Sequence, residues 1–328
     1  MRFPVANRYV PLLATAFVLA ALYAAGCVSF DNFSSLRVAV NLMGDNGFLG
    51  VAAIGATFVI LSGGIDLSVG SVVAFTSILI AALVEDHGVK PLAAIAVALV
   101  IGALFGGAMG GLIQWFDLPP FLVTLAGMFF ARGIGFMIYP QSHGIQNEFF
   151  IQTVTDRLAL RLNDRVSFPF TGTCFVAVFV LATFVAHYTR FGRYVYALGG
   201  DEQSARLMGL PVARTKVFIY ALSGFCSALA GVVYTFYTQS GDPASCVGLE
   251  LDAIAAVVIG GTLLSGGVGF LAGTVMGVLI LGLIQTLITF KGDLNSWWTR
   301  IVAGMLVFLF ILLQNLVSSA SKRLGAKS

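Results

Sequence analysis

The segment Ala253–Phe290 contains no charged residue. As one continuous helix rising about 1.5 Å per residue it would be nearly twice as long as the roughly 30 Å hydrocarbon core of a bilayer. It is therefore expected to hold two spans, with the turn at Leu264-Ser265-Gly266-Gly267, because adjacent glycines favour turns and weaken helix interiors. Other uncharged runs occur at Tyr9–Phe30, Asn46–Ile65, Leu67–Val84, Pro91–Phe116, Leu118–Ala131 (continuing past Arg132 to Pro140), Val166–Ala186, Val217–Gly241 and Ile301–Ser319. Together these predict an all-α, polytopic integral membrane protein with about ten transmembrane helices, since only internally hydrogen-bonded helices satisfy the backbone away from water. No stretch remains for a soluble domain, so residues 1–328 read as a single transmembrane domain.

Several function classes drop out on composition and spacing. The chain is 58% hydrophobic and 10% charged, against roughly 25% charged in an ordinary soluble domain. The net charge is +3, with basic residues in short clusters between apolar runs, which argues against nucleic-acid binding. Cys27, Cys174, Cys226 and Cys246 stand apart without a CxxC pair, so neither a disulfide framework nor a zinc site is indicated. His87, His143 and His187 are widely separated, giving no basis for a metal site or a catalytic triad. None of Lys90, Lys216, Lys291, Lys322 and Lys327 follows a glycine, so the chain lacks a phosphate-binding loop. Any ATP hydrolysis, with its Mg, is expected on a partner chain, and no cofactor is expected in this one.

Arg2 and Arg8 precede the first apolar run, which exceeds the length of a signal-peptide core and reads as a retained span. Within it, Ala24-Ala25-Gly26-Cys27 resembles a lipoprotein processing site, but with Ala24 where Leu is usual. The basic residues Arg190, Arg193, Arg206, Arg214, Lys216, Lys322, Arg323 and Lys327, with Arg2 and Arg8, outnumber those of the opposite loops. The positive-inside bias then places both termini in the cytoplasm. Opposite them lie Arg37, Lys90, Lys291, Arg300 and the trio Arg157, Arg161 and Arg165.

Small residues recur at helical spacing: Gly102, Gly106 and Gly110 with Gly107 and Gly111 beside them, and Gly269, Gly273 and Gly277. Such stripes read first as close helix packing. The segment beginning Leu61-Ser62-Gly63-Gly64 is echoed at Leu264-Ser265-Gly266-Gly267, in a manner either of duplicated halves or of two similar turns. At membrane depth the polar candidates are Asn46, Asp66, Gln114, Arg132, Asp252 and Gln285. Of these, Asn46, Asp66, Arg132 and Gln285 are the candidate pathway residues. Asp66 is also placed to cap a helix starting at Leu67 or Ser68. Arg132 must reach the interface, find a carboxylate or line a cavity. Trp115, Trp297 and Trp298 suit interfacial anchoring.

The loop segment from Gly199 to Pro211 reads as one short, well-terminated helix. Asp201 can cap it, Glu202 suits the positive end of its dipole and Arg206 the negative end, while Gly209 and Pro211 stop it. Ala205, Leu207 and Met208 give it apolar surface, which either packs beneath the chain's own bundle or docks in a partner's groove.

Taken in order, Gly63-Gly64-Ile65-Asp66-Leu67-Ser68-Val69-Gly70, this loop helix and Ile259-Gly260-Gly261-Thr262-Leu263-Leu264-Ser265-Gly266-Gly267-Val268-Gly269 resemble the permeases of ribose- and galactose-type bacterial ABC sugar importers. The likeness covers nearly the whole chain and is strongest to the galactofuranose importer permeases, including Asn295-Ser296-Trp297-Trp298-Thr299. It implies a type II ABC importer-like permease in the bacterial inner membrane, moving a monosaccharide such as galactofuranose inward by alternating access. It also implies a cytoplasmic ABC ATPase, a periplasmic sugar-binding protein, and a second permease subunit, identical or paralogous. In the family the loop helix is the coupling helix, a role carried here onto Gly200, Asp201, Ser204, Ala205, Arg206, Leu207, Met208 and Gly209. The family usually has Asn and Ala-Ala where this chain has Asp201 and Ser204-Ala205. The alternatives are a permease for another small polar solute, or an ion-coupled secondary transporter, which would need an intramembrane ion site. An intramembrane enzyme would need a nucleophile and base at workable spacing, and none is visible.

Overall fold

The computed structural model describes residues 10–152, 160–163, 166–292 and 297–325; in 160–163, 166 and 313–325 only the backbone is described. Arg2, Arg8, Arg157, Arg165, Asn295, Ser296 and Lys327 lie outside the described residues, as do the side chains of Arg161, Lys322 and Arg323.

The helices in chain order are α1 (Val10–Ser29), α2 (Leu36–Asp45), α3 (Gly47–Leu61), α4 (Val69–Ala81, extended by a π-helical turn Ala82–Asp86), α5 (Pro91–Trp115) and α6 (Pro120–Ile138). Next come α7 (Glu148–Gln152), α8 (Phe170–Tyr188), α9 (Arg190–Gly200), α10 (Glu202–Leu207) and α11 (Val212–Thr238). The last three are α12 (Leu249–Ile259), α13 (Leu271–Lys291) and α14 (Trp297–Gly325). Two short antiparallel pairs lie in the loops, His143–Gly144 with Ser240–Gly241 and Leu160–Asn163 with Val166–Phe168.

The chain is a bundle of apolar helices, as its charge-free runs require. Seven of the described helices are long and apolar enough to cross a bilayer, and α2 with α3, bent by 54° at Asn46, makes an eighth. The other two apolar runs are α14, apolar over Trp297–Leu312, and α12. The run Ala253–Phe290 departs from two equal spans. Its first helix, α12, has 11 residues and a length of about 16 Å, half a bilayer core. Gly261, at φ +88°, ends that helix in a backbone conformation L side chains resist. The full-length crossing in this run is α13 alone.

Helix α11 lies at the centre, with Ile219, Tyr220, Ser223, Ala228, Ala230 and Val233 among its buried residues. The first glycine stripe seats α5 against it. A Cβ at Gly106 would overlap the carbonyl of Tyr220, and one at Gly224 would overlap the carbonyl of Gly102. The second stripe does the same between α12 and α13, where a Cβ at Gly273 or Gly277 would strike the carbonyls of Gly260 and Ala256. Both stripes are thus packing seams, and side chains such as Leu92 and Leu104 on α5 remain exposed to lipid. Polar bonds cross the seams as well. Thr57 Oγ1 lies 2.9 Å from Thr274 Oγ1, and Thr15 Oγ1 donates to the Ile259 carbonyl at 2.6 Å. Each such bond contributes about 0.6 kcal/mol on average in a membrane interior.

The echoed turns after α3 and α12 touch, with the Gly267 N–H donating to the Leu61 carbonyl at 2.8 Å. His143 bonds Asp86 at 3.1 Å and stacks on Tyr139, near the short pairing of His143–Gly144 with Ser240–Gly241.

Gly106→Val should destabilise the protein by about 1–3 kcal/mol, because the backbone approach leaves no room for the new side chain. Gly133→Ala, where a Cβ meets nothing within 4 Å, should stay within about 0.5 kcal/mol. Thermal unfolding of the detergent-solubilised protein checks both, and equal midpoints would refute the seam.

Candidate functional site

The break between α2 and α3 leaves Asn46 outside regular helix, its side chain donating to the Leu42 carbonyl at 2.9 Å. Facing it, Gly282 on α13 is so close that a Cβ there would overlap the Asn46 amide. One turn further on α13 is Gln285, and Asp252 approaches from α12. These three side chains and Leu49 border two contiguous cavities of about 430 and 290 Å³, within the size range of small-ligand sites. The larger adds Asn41, Asp45, Tyr237, Thr286 and Thr289 to the polar lining, and the smaller adds Trp297, Thr299 and Arg300. Thr299 Oγ1 is buried without a hydrogen-bond partner among the described residues. Arg300 sits 4.9 Å from the Trp297 ring centre, as in a cation–π contact.

Asn46 and Gln285 are therefore brought together, and the two other candidate pathway residues lie elsewhere. Asp66 is buried in the turn after α3, accepting from the Ser68 N–H at 2.9 Å, the Ser68 hydroxyl at 2.6 Å and the Ser223 hydroxyl at 2.7 Å. It closes the turn ahead of α4 and ties it to α11; the helix starts at Val69 with Ser68 in the N-cap position, so Asp66 holds the turn before the cap instead of capping a helix that starts at Leu67 or Ser68. Arg132 donates to the carbonyls of Pro243 and Ser245 at 2.7 and 2.5 Å. Its charge is met by backbone oxygens at a loop, with the Glu250 carboxylate near enough to interact with it. Asn41 and Asp45 lie outside the uncharged runs, and Thr286 and Thr289 are hydroxyls within one, where their oxygens bond their own helix carbonyls. A visible signal was the spacing of Asn41 and Asp45, and of Gln285 and Thr289, each four residues apart and so on one helix face.

The loop helix is shorter than the segment 200–209. Gly199 and Gly200 end α9, and α10 spans Glu202–Leu207. Asp201 serves both helices: its N–H donates to the Ala197 carbonyl at 3.2 Å, and its side chain accepts from the Ser204 N–H. Those bonds from Ser204 hold the Asp201 carboxyl below the ordinary carboxylate range. The cap is therefore complete above the unfolded pKa and is lost as pH falls through the lowered value. Glu202 meets Arg206 at 3.1 Å and Lys216 of α11 at 2.7 Å. Gly209 turns the chain at φ +78°. The apolar residues split. Ala205 is 1% exposed and packs into the bundle, whereas Leu207 and Met208 are 83% and 69% exposed. Ala205 thus belongs to the inner face, which corrects its placement among outward apolar residues.

Residues 38–311 match the family described as branched-chain amino acid transport system / permease component. The chain belongs to this family. Over 311 residues the permease is 50% identical to the inner membrane ABC transporter permease protein YjfF of Escherichia coli (strain K12), covering 94% of this chain and 92% of that protein. It is 36% identical to the fructose import permease protein FruG of Bifidobacterium longum (strain NCC 2705), covering 96% and 93% of the two chains. It is also 36% identical to the ribose import permease protein RbsC of Escherichia coli (strain K12), covering 87% of each. No solved structure gives a significant match. Permeases of this family are transporter subunits, not enzymes. Among the described residues no group of His, Cys, Asp and Glu could hold a metal ion.

Water access to the cavities is testable in a background with the native cysteines replaced. Gln285→Cys should react with a charged, membrane-impermeant thiosulfonate, whereas Ser71→Cys, at a fully buried position, should not. Labelling at both positions at similar rates would remove the cavity as a wet site.

Proposed function

We propose that this permease imports a monosaccharide into the bacterial cytoplasm as the membrane-spanning part of an ATP-driven importer. Full-length similarity to fructose and ribose import permeases is the observation that carries the solute class. The resemblance to the galactofuranose importer permeases over Gly63 to Thr299 makes galactofuranose the first sugar to test. The protein lies in the inner membrane with both termini cytoplasmic. A periplasmic binding protein delivers the sugar, a second permease, identical or paralogous, completes the pore, and a cytoplasmic ABC ATPase binds ATP and Mg.

The pathway runs through the cavity bordered by Asn46, Asp252 and Gln285. Carboxylates there accept hydrogen bonds from hydroxyls and amides both donate to and accept from them, while Arg300 at the smaller cavity is held over Trp297, a lining that suits a neutral polyol. Coupling runs through Gly200 to Gly209. Leu207 and Met208 project from α10 while Ala205 anchors its inner face. A short helix held from behind and apolar in front is the form in which an exposed helix enters a partner's groove.

Leu207→Asp and Met208→Asp should each lower ATP-dependent uptake about tenfold or more, because a charge would be buried at a docked interface, with protein amount in the membrane unchanged. Unchanged uptake in both would sink the docking role. Ala205→Asp should instead reduce the amount of folded protein, since that position is inside the bundle. Reporter fusions at Gly200 and Gln152 should report opposite sides of the membrane, and the same side for both would overturn the orientation.

A further inference from the structure

Glycines of three segments distant in sequence meet at one point: Gly63 after α3, Gly199-Gly200 at the end of α9, and Gly266-Gly267 before α13. A Cβ at Gly199 would overlap the Leu61 carbonyl and lie 2.5 Å from the Gly267 nitrogen. A Cβ at Gly266 would lie 2.7 Å from the Gly63 nitrogen and 3.0 Å from the Gly199 Cα. One at Gly267 would lie 2.9 Å from both the Cα and the nitrogen of Gly200. Backbone packs on backbone here, and Gly63, Gly266 and Gly267 all take positive φ, a conformation only glycine adopts without strain. Two bonds lock the contact: Gly267 N–H to the Leu61 carbonyl at 2.8 Å, and the Tyr196 hydroxyl of α9 to the Gly269 carbonyl at 3.0 Å.

The elements on either side give this contact a direction. Asp201 closes α9 and opens α10 with no residue between, so a push on Leu207 and Met208 reaches Gly199 through two abutting helices. Beyond the contact, the Gly63 turn ends α3 and the Gly266 turn joins α12 to α13. Those three helices carry or adjoin Asn46, Asp252 and Gln285, the border of the cavity.

We infer that this glycine junction transmits displacement of the loop helix to α3, α12 and α13 together, and that Gly199 and Tyr196 are positioning residues for coupling. The inference rests on the reading of Leu207 and Met208 as a docking face.

Hydrogen–deuterium exchange of the purified full chain in lipid nanodiscs tests it, comparing wild type with Gly199→Ala, Tyr196→Phe and Gly133→Ala. Gly199→Ala should raise exchange about tenfold or more in peptides covering both 60–66 and 262–268. Tyr196→Phe, which deletes one hydrogen bond and keeps the ring, should raise it about threefold to tenfold in the same peptides. Gly133→Ala should change neither. If Gly199→Ala does not fold, Tyr196→Phe decides. Changes confined to residues 190–209 overturn the junction. In vesicles carrying the importer with its ATPase and binding protein, Tyr196→Phe should also lower sugar uptake per ATP hydrolysed, and an unchanged ratio alongside raised exchange overturns transmission. Normal uptake by the Leu207→Asp and Met208→Asp variants, with the exchange effects intact, would remove the docking reading and leave the junction as a structural contact.

Discussion

Close approach of backbone to backbone is the interaction on which the rest of this bundle depends. Lipid gives no hydrophobic drive for one apolar helix to leave lipid for another, so association rests on packing and on polar bonds between helices. Glycine supplies the packing at three places: α5 on α11, α12 on α13, and the junction of the two turns with α9. A side chain at Gly106, Gly273 or Gly199 would strike a carbonyl carbon or oxygen, not the movable tip of a side chain. Relief then requires moving a helix, and this is why these positions hold the architecture together.

That packing also decides where polar groups can lie. Asp66 accepts three hydrogen bonds inside the bundle, and Arg132 gives its guanidinium to two carbonyls. Both are structural solutions to the cost of a polar group away from water. Asn46, Asp252 and Gln285 differ because they border open volume, Asn46 while its amide also donates to the Leu42 carbonyl. The 54° bend between α2 and α3 places Asn46 at the edge of that volume, with its amide packed on Gly282.

Much of this was legible in the residues, and the gaps have physical causes. Charge-free length gave the membrane class, glycine spacing gave the seams, and Asp201 and Gly209 bounded the loop helix. Length without charge could not distinguish a crossing helix from α12, because a half-length helix shielded by α3, α13 and α14 is as apolar as one facing lipid. The bend at Asn46 was missed because Arg37 and Asp45 excluded Leu36–Asp45 from an uncharged run. Facing directions within α10 were beyond reach for a related reason. Six residues are too few for periodicity to fix a face, so only the packed structure separates Ala205 from Leu207 and Met208.

With the cavity as the proposed pathway, its chemistry bears on the solute independently of the relatives' names. A branched-chain amino acid carries a carboxylate and an apolar side chain, and would meet Asp45 and Asp252 in the same lining. Among the described residues the cation in the adjoining lining is Arg300, whose guanidinium already sits over Trp297 and donates to the Val247 carbonyl at 3.3 Å. Bringing a second carboxylate beside Asp252 costs Coulomb energy that grows as water is excluded. A neutral sugar carries no such penalty: its hydroxyls can donate to Asp45 and Asp252 and both donate to and accept from Asn41, Asn46 and Gln285. The electrostatics of the lining therefore weigh toward a neutral polyhydroxylated solute within a family whose description names amino acids.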